Sequence, residues 1–241
     1  MTESSTEPAT AKREPGMRMQ AWCIAAGVTL ATAAAVGYAF HPTNAGSGRL
    51  LQMLGIVYGA LVTGMVIWTL RRGELRQQLA PTGGDITIGA LLALLLYLLA
   101  TLTHKALTAQ GTPREPWIMR IYLHIGDPTV TAAFWVGIVV LLIGAAEEIV
   151  WRGWVMRALC NAYGDRFGWL MSTALYTLAH APTVYLLRDS AAGPNPLVMM
   201  AAAAGGLAWG YLALRIGRLG PSLFSHAIFS WAVVEFPLWR M

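Results

Sequence analysis

The sequence predicts an all-α protein, a polytopic bundle of about seven transmembrane spans. Composition is the first reason: 56% of the 241 residues are apolar and 12% are charged, against about 25% charged in an ordinary soluble domain. The mean hydropathy of +0.53 agrees. Patterning is the second reason, since the apolar residues fall into runs of about 20, enough at about 1.5 Å per residue to cross about 30 Å of hydrocarbon. The third is that Lys and Arg stand singly at the ends of these runs, where they set topology. The same scatter makes the net charge of +5 a poor signal for nucleic acid, so a lipid bilayer is the expected partner.

Residues 1–20 are polar, contain two prolines, and are expected to form a disordered cytoplasmic tail, leaving 21–241 as the transmembrane domain. Lys12, Arg13 and Arg18 precede the first run and put the N-terminus on the cytoplasmic side of what is read as a bacterial inner (cytoplasmic) membrane. Residues 21–40 form the first span, and 41–48, with Pro42, Asn44, Gly46 and Gly48, a loop on the outer side. The second span is 51–70, closed by Arg71, Arg72 and Arg76; Pro81, Gly83 and Gly84 then break the chain before a third span at 86–102.

Lys105, Arg114 and Arg120 fall outside, contrary to the charge rule, and an amphipathic segment at 117–125 lying at the interface accounts for the mixed character. The run 129–146 continues into an acid-rich stretch with no breaker before Gly153 and is read as one long helix. Residues 168–187 make a fifth span, which Pro182 should kink or end just after His180. The sixth, 197–214, is rich in Ala and Gly and should sit centrally, where small residues allow close approach. The seventh is 221–238. Cys23 and Cys160 fall at different depths and cannot pair.

Within this apolar chain, Glu147-Glu148-Ile149-Val150-Trp151-Arg152 is the anomaly, because carboxylates beside hydrocarbon are costly to keep. Glu148 and Arg152 are four apart with the acid first, the order that favours an ion pair. Glu147 points about 100° away and is free for another partner. Ending the helix among lipid headgroups is the plain alternative. His180 inside the fifth run, one turn after Tyr176, and His226 inside the seventh, one turn before Ser230, weigh against it.

A carboxylate with two imidazoles suits hydrolysis of an amide: Glu147 would take a proton from water and return it to the leaving amine, while His180 and His226 orient the water or stabilise the oxyanion. The same set of Glu147, His180 and His226 could instead hold a zinc ion that activates the water, and the sequence does not choose between them. His41 and His124 are expected in loops and His104 at the end of the third span. Trp residues such as Trp68, Trp117, Trp231 and Trp239 read as interface anchors.

These residues resemble a known family. Glu147 to Arg152 match an E-E-x-x-x-R motif, Tyr176 to His180 resemble F-x-x-x-H, and His226 to Ser230 resemble H-x-x-x-N, the motifs of the CPBP family of CAAX-processing and bacteriocin-processing (Abi) intramembrane proteases. The resemblance covers about 129–241 and implies a protein or peptide substrate. It also implies that Glu147 activates water, that Glu148 and Arg152 support it, and that His180, His226 and Ser230 complete the catalytic set, with either a metal-free glutamate mechanism or zinc. Tyr176 replaces Phe and Ser230 replaces Asn, so a hydroxyl stands where the family offers an amide donor. A membrane scaffold or immunity-type protein without catalysis is the alternative from another class. A transporter with a Glu/His relay is the third, disfavoured because no internal repeat is visible.

Overall fold

The computed structural model describes residues 15–73, 78–80, 82–125 and 133–240. Their regular structure is helical: α1 (Pro15–Ala39), α2 (Arg49–Arg72), α3 (Asp85–Leu107), α4 (Glu115–Ile125), α5 (Ala133–Val150), a π-helical turn (Trp151–Met156), α6 (Arg157–Tyr163), α7 (Asp165–Ala179), α8 (Pro182–Leu186), α9 (Leu197–Ile216) and α10 (Gly220–Glu235). Residues 1–14 of the expected tail lie outside the described residues, and α1 already begins at Pro15. The start of the expected fourth span at Thr129 also lies outside them.

Five of the helices are long and apolar enough to cross a membrane: α1, α2, α3, the continuous helix Phe134–Tyr163, and α9. The two other expected spans are shorter. The fifth is broken where Pro182, lacking an amide hydrogen, forces a new start: α7 closes on His180 and α8 opens with Pro182 in its first turn. The seventh, α10, has 16 residues. A count of seven spans is therefore approximate, and the chain is an integral membrane protein built as a helical bundle.

α10 is sandwiched between α5 and α3, and glycines make both contacts possible. A Cβ on Gly89 of α3 would lie 2.7 Å from the Phe224 Cβ and 2.9 Å from the Pro221 carbonyl oxygen. One on Gly144 of α5 would lie 2.8 Å from Ser230 Oγ and 3.2 Å from the His226 carbonyl oxygen. The backbones approach closely because no side chain intervenes. Asp85, at the start of α3, is ion-paired with Arg218 just ahead of α10, fixing the same sandwich at one end.

The main core joins Ala21, Ala25, Val28 and Val36 of α1 and Leu54 and Tyr58 of α2 to Val150, Trp151, Val155 and Leu159 of the long helix. On the outside, Leu91, Leu94, Leu95, Leu98 and Leu102 of α3 and Phe134, Trp135 and Leu142 of α5 are exposed, the composition expected of a lipid-facing surface.

α4 is amphipathic as its pattern predicts, yet it is clamped down rather than merely resting at an interface. Trp117, Ile118 and Tyr122 are buried, and the Tyr122 hydroxyl donates to the Val233 carbonyl at 2.7 Å. Trp117 Nε1 donates to the Gly193 carbonyl at 3.3 Å, Asn195 Nδ2 donates to the Trp117 carbonyl at 2.9 Å, and Arg120 pairs with Asp189 at 3.0 Å. His124 corrects its loop assignment: it is a buried residue of α4, with Nδ1 2.9 Å from the Arg120 carbonyl oxygen and its ring against Phe40. His104 is buried in the last turn of α3, with Nδ1 2.7 Å from Thr108 Oγ1.

Candidate active site

The acidic stretch lies inside the bundle. Glu147 is 8% exposed, Glu148 0% and Arg152 2%, so these charges do not end a helix among headgroups. They sit where α5 passes into the π turn, an irregularity that widens the helix and is often found at functional sites.

The expected pair forms: Arg152 Nη1 is 2.9 Å from Glu148 Oε1. It is an ion pair placed off the hydrogen-bond direction rather than an aligned bond. Arg152 Nη2 donates to the Gly205 carbonyl of α9 at 3.3 Å, and the guanidinium lies 4.8 Å from the Tyr176 ring centroid and 5.6 Å from that of Trp209. Flanked by two aromatic faces and a carboxylate, the charge is supported on several sides, as a buried cation requires.

His226 meets both acids. Its Nδ1 is 3.0 Å from Glu148 Oε1, while its Nε2 is 3.9 Å from Glu147 Oε2. The reason is geometric: neighbouring acids point about 100° apart on one helix, and α10 packs so that the imidazole spans the gap between them. Trp209 fixes the ring from α9, stacked at 3.7 Å and 16°, and is itself held by donation from Nε1 to Ser225 Oγ at 3.0 Å.

Glu147 faces α7. The Tyr176 hydroxyl donates to Glu147 Oε2 at 2.6 Å, a short bond of the kind a carboxylate acceptor gives. His180, one turn later, has Nδ1 2.8 Å from the Tyr176 carbonyl oxygen and its ring edge-on to Tyr176 at 4.8 Å. It lies within electrostatic reach of Glu147, His226 and Arg152. α7, α5 and α10 thus bring Glu147, Glu148, Arg152, His180 and His226 into one buried cluster.

The partners also assign the imidazole hydrogens. A backbone carbonyl only accepts, so His180 Nδ1 carries the hydrogen; a carboxylate faces His226 Nδ1, which carries one likewise.

Ser230 is half-buried beside Gly144, one turn from Glu148, and makes no hydrogen bond among the described residues. Glu147, His180 and His226 also fall short of a ligand sphere, because among the described residues no three His, Cys, Asp or Glu side chains converge as metal ligands. The Glu147 oxygen nearest His226 is already taken by the Tyr176 hydroxyl. As placed, these side chains do not fit a zinc ion.

Three contributors escape the sequence reading. Trp209 sits in a helix of Ala and Gly, and Trp151 and Tyr58 meet through a bond from Trp151 Nε1 to the Tyr58 hydroxyl at 3.3 Å, within electrostatic reach of Glu147. Trp209 and Tyr58 are aromatic residues with a polar atom in the middle of an apolar run rather than at its end, and that position is the available sign that neither is an interface anchor, whereas Trp151 stands beside Arg152 in the acid-rich stretch.

Residues 129–232 match a family model described as type II CAAX prenyl endopeptidase Rce1-like. No curated protein and no solved structure matches the chain. The matched segment encloses the whole cluster, from the acids of α5 to the histidine of α10, and over it the chain is similar to that family of proteases.

Proposed function

We propose that this protein is an intramembrane endopeptidase in which Glu147 activates water against a peptide bond of a membrane-delivered protein or peptide. The observation that carries this reading is the division of labour between adjacent acids. Glu148 is fully buried and occupied by Arg152 and His226, whereas Glu147 is oriented by one hydroxyl and keeps an oxygen for the nucleophile. In the reaction the water oxygen bonds to the carbonyl carbon, its proton passes to Glu147, and the carbonyl electron pair moves onto oxygen. Collapse reforms the carbonyl, breaks the C–N bond and delivers the proton from Glu147 to the leaving nitrogen. His180 accepts from the same water at Nε2, and His226, oriented by Glu148 and Trp209, lines the opposite side of the reacting carbonyl. Burial makes each of these polar contacts stronger than it would be in water. The N-terminus is placed in the cytoplasm on the basis of Lys12, Arg13 and Arg18.

The test is a comparison of new protein termini in membranes of cells producing the native chain or Glu147→Gln. Termini that vanish with Glu147→Gln would name both substrate and bond. Identical termini would remove the protease assignment and favour a non-catalytic scaffold.

A further inference from the structure

We infer that the Tyr176 hydroxyl is a catalytic hydrogen-bond donor of this site, stabilising the oxyanion of the tetrahedral intermediate in place of the side chain at position 230. The inference rests on the protease reading above and deepens it.

Hydrolysis of an amide places negative charge on the former carbonyl oxygen, and a site that accelerates it needs a donor about 3 Å from that oxygen. His180 and His226 both turn Nδ1 away, to the Tyr176 carbonyl and to Glu148. Arg152 is turned to Glu148, to the Gly205 carbonyl and to two ring faces. Ser230 Oγ rests over Gly144, a turn away from Glu148, and lacks the reach of an amide. The phenol of Tyr176 is a neutral donor 2.6 Å from Glu147 Oε2, at the place where the nucleophile must be activated.

The switch needs no rearrangement of the backbone. While Glu147 is a carboxylate, the phenol bonds to it and holds it in position. Once Glu147 has taken the proton of water it becomes a weaker acceptor, and the new oxyanion a stronger one, so the phenol turns its hydrogen to the oxyanion. When the C–N bond breaks and Glu147 gives up its proton, the original bond returns. The phenol keeps its own hydrogen throughout, so no extra proton enters the balance. Contacts of the ring with Trp151, His180 and Arg152 keep the hydroxyl from drifting.

The experiment uses the full chain in detergent or proteoliposomes and a peptide spanning the bond named by the termini comparison. Tyr176→Phe should lower kcat by about 10²–10³-fold, with KM changed by less than about threefold. A peptide aldehyde of the same sequence, which forms a tetrahedral adduct, should bind more weakly by a similar factor while the uncleaved peptide bound to Glu147→Gln does not. Native kcat or undiminished aldehyde affinity in Tyr176→Phe would overturn the assignment. Cleavage retained by Glu147→Gln would instead remove the protease reading on which it rests.

Discussion

Glu148 and His226 are joined from Oε1 to Nδ1 at 3.0 Å across the contact between α5 and α10, with Arg152 on the same carboxylate oxygen at 2.9 Å. The second carboxylate oxygen is buried without a partner among the described residues. A carboxylate so enclosed depends on its cation. Arg152→Met should destabilise the protein by about 3–5 kcal/mol, because it leaves a buried charge unpaired. Glu148→Leu combined with Arg152→Met should recover most of that loss, although not activity. Thermal unfolding in detergent checks both, and a double variant no more stable than the single one would contradict the account.

Trp209 tests how far the imidazole depends on its stacking partner. Trp209→Ala removes a ring packed at 3.7 Å on His226 and should cost about 3–5 kcal/mol by leaving a cavity. Trp209→Phe keeps a ring and loses the bond to Ser225, a cost of about 1 kcal/mol. Chemical denaturation of the two variants should rank them in that order.

Close approach of α3 to α10 rests on Gly89. In Gly89→Ala the added Cβ meets backbone, at 2.9 Å from the Pro221 carbonyl oxygen, and backbone cannot swing aside. A loss of about 1–3 kcal/mol is expected from such overpacking. An unchanged melting temperature would show that α3 shifts freely.

Asp189 supplies a pH-dependent latch on α4. The Ala191 and Ala192 amides, then Arg120, hold its carboxyl below the usual carboxylate range. For a group depressed in the folded state, stability is present above the unfolded value and is lost as pH falls through the folded one. Protection of the Ala191 and Ala192 amides, measured against their intrinsic exchange rates, should therefore be high at neutral pH and fall in acid. Asp189→Asn should show low protection at neutral pH and lose the acid dependence.

Much of this arrangement was legible in the sequence. The lengths of the apolar runs and the Arg residues at their ends marked the helices, and Pro182 marked the break after His180. Charges and imidazoles inside hydrocarbon marked the cluster, because hydrocarbon keeps them only at a cost. What joins elements was not legible: whether His226 would take Glu147 or Glu148 depends on the rotation of α10 about its axis, which no local pattern encodes. Trp209 was hidden for the same reason, since only packing tells an interface anchor from a buried platform. The helical segment 117–125 showed its amphipathic face without showing that Gly193, Asn195 and Val233 would receive it.

The short helices α7 and α10, with 15 and 16 residues, carry both site histidines. At about 1.5 Å per residue they extend about 22–24 Å, several ångström less than a hydrocarbon layer of about 30 Å. Lipid is not what holds them at depth: α10 is gripped by α5 and α3, and α7 by α9 and α6, so the level of both imidazoles is set by neighbouring protein.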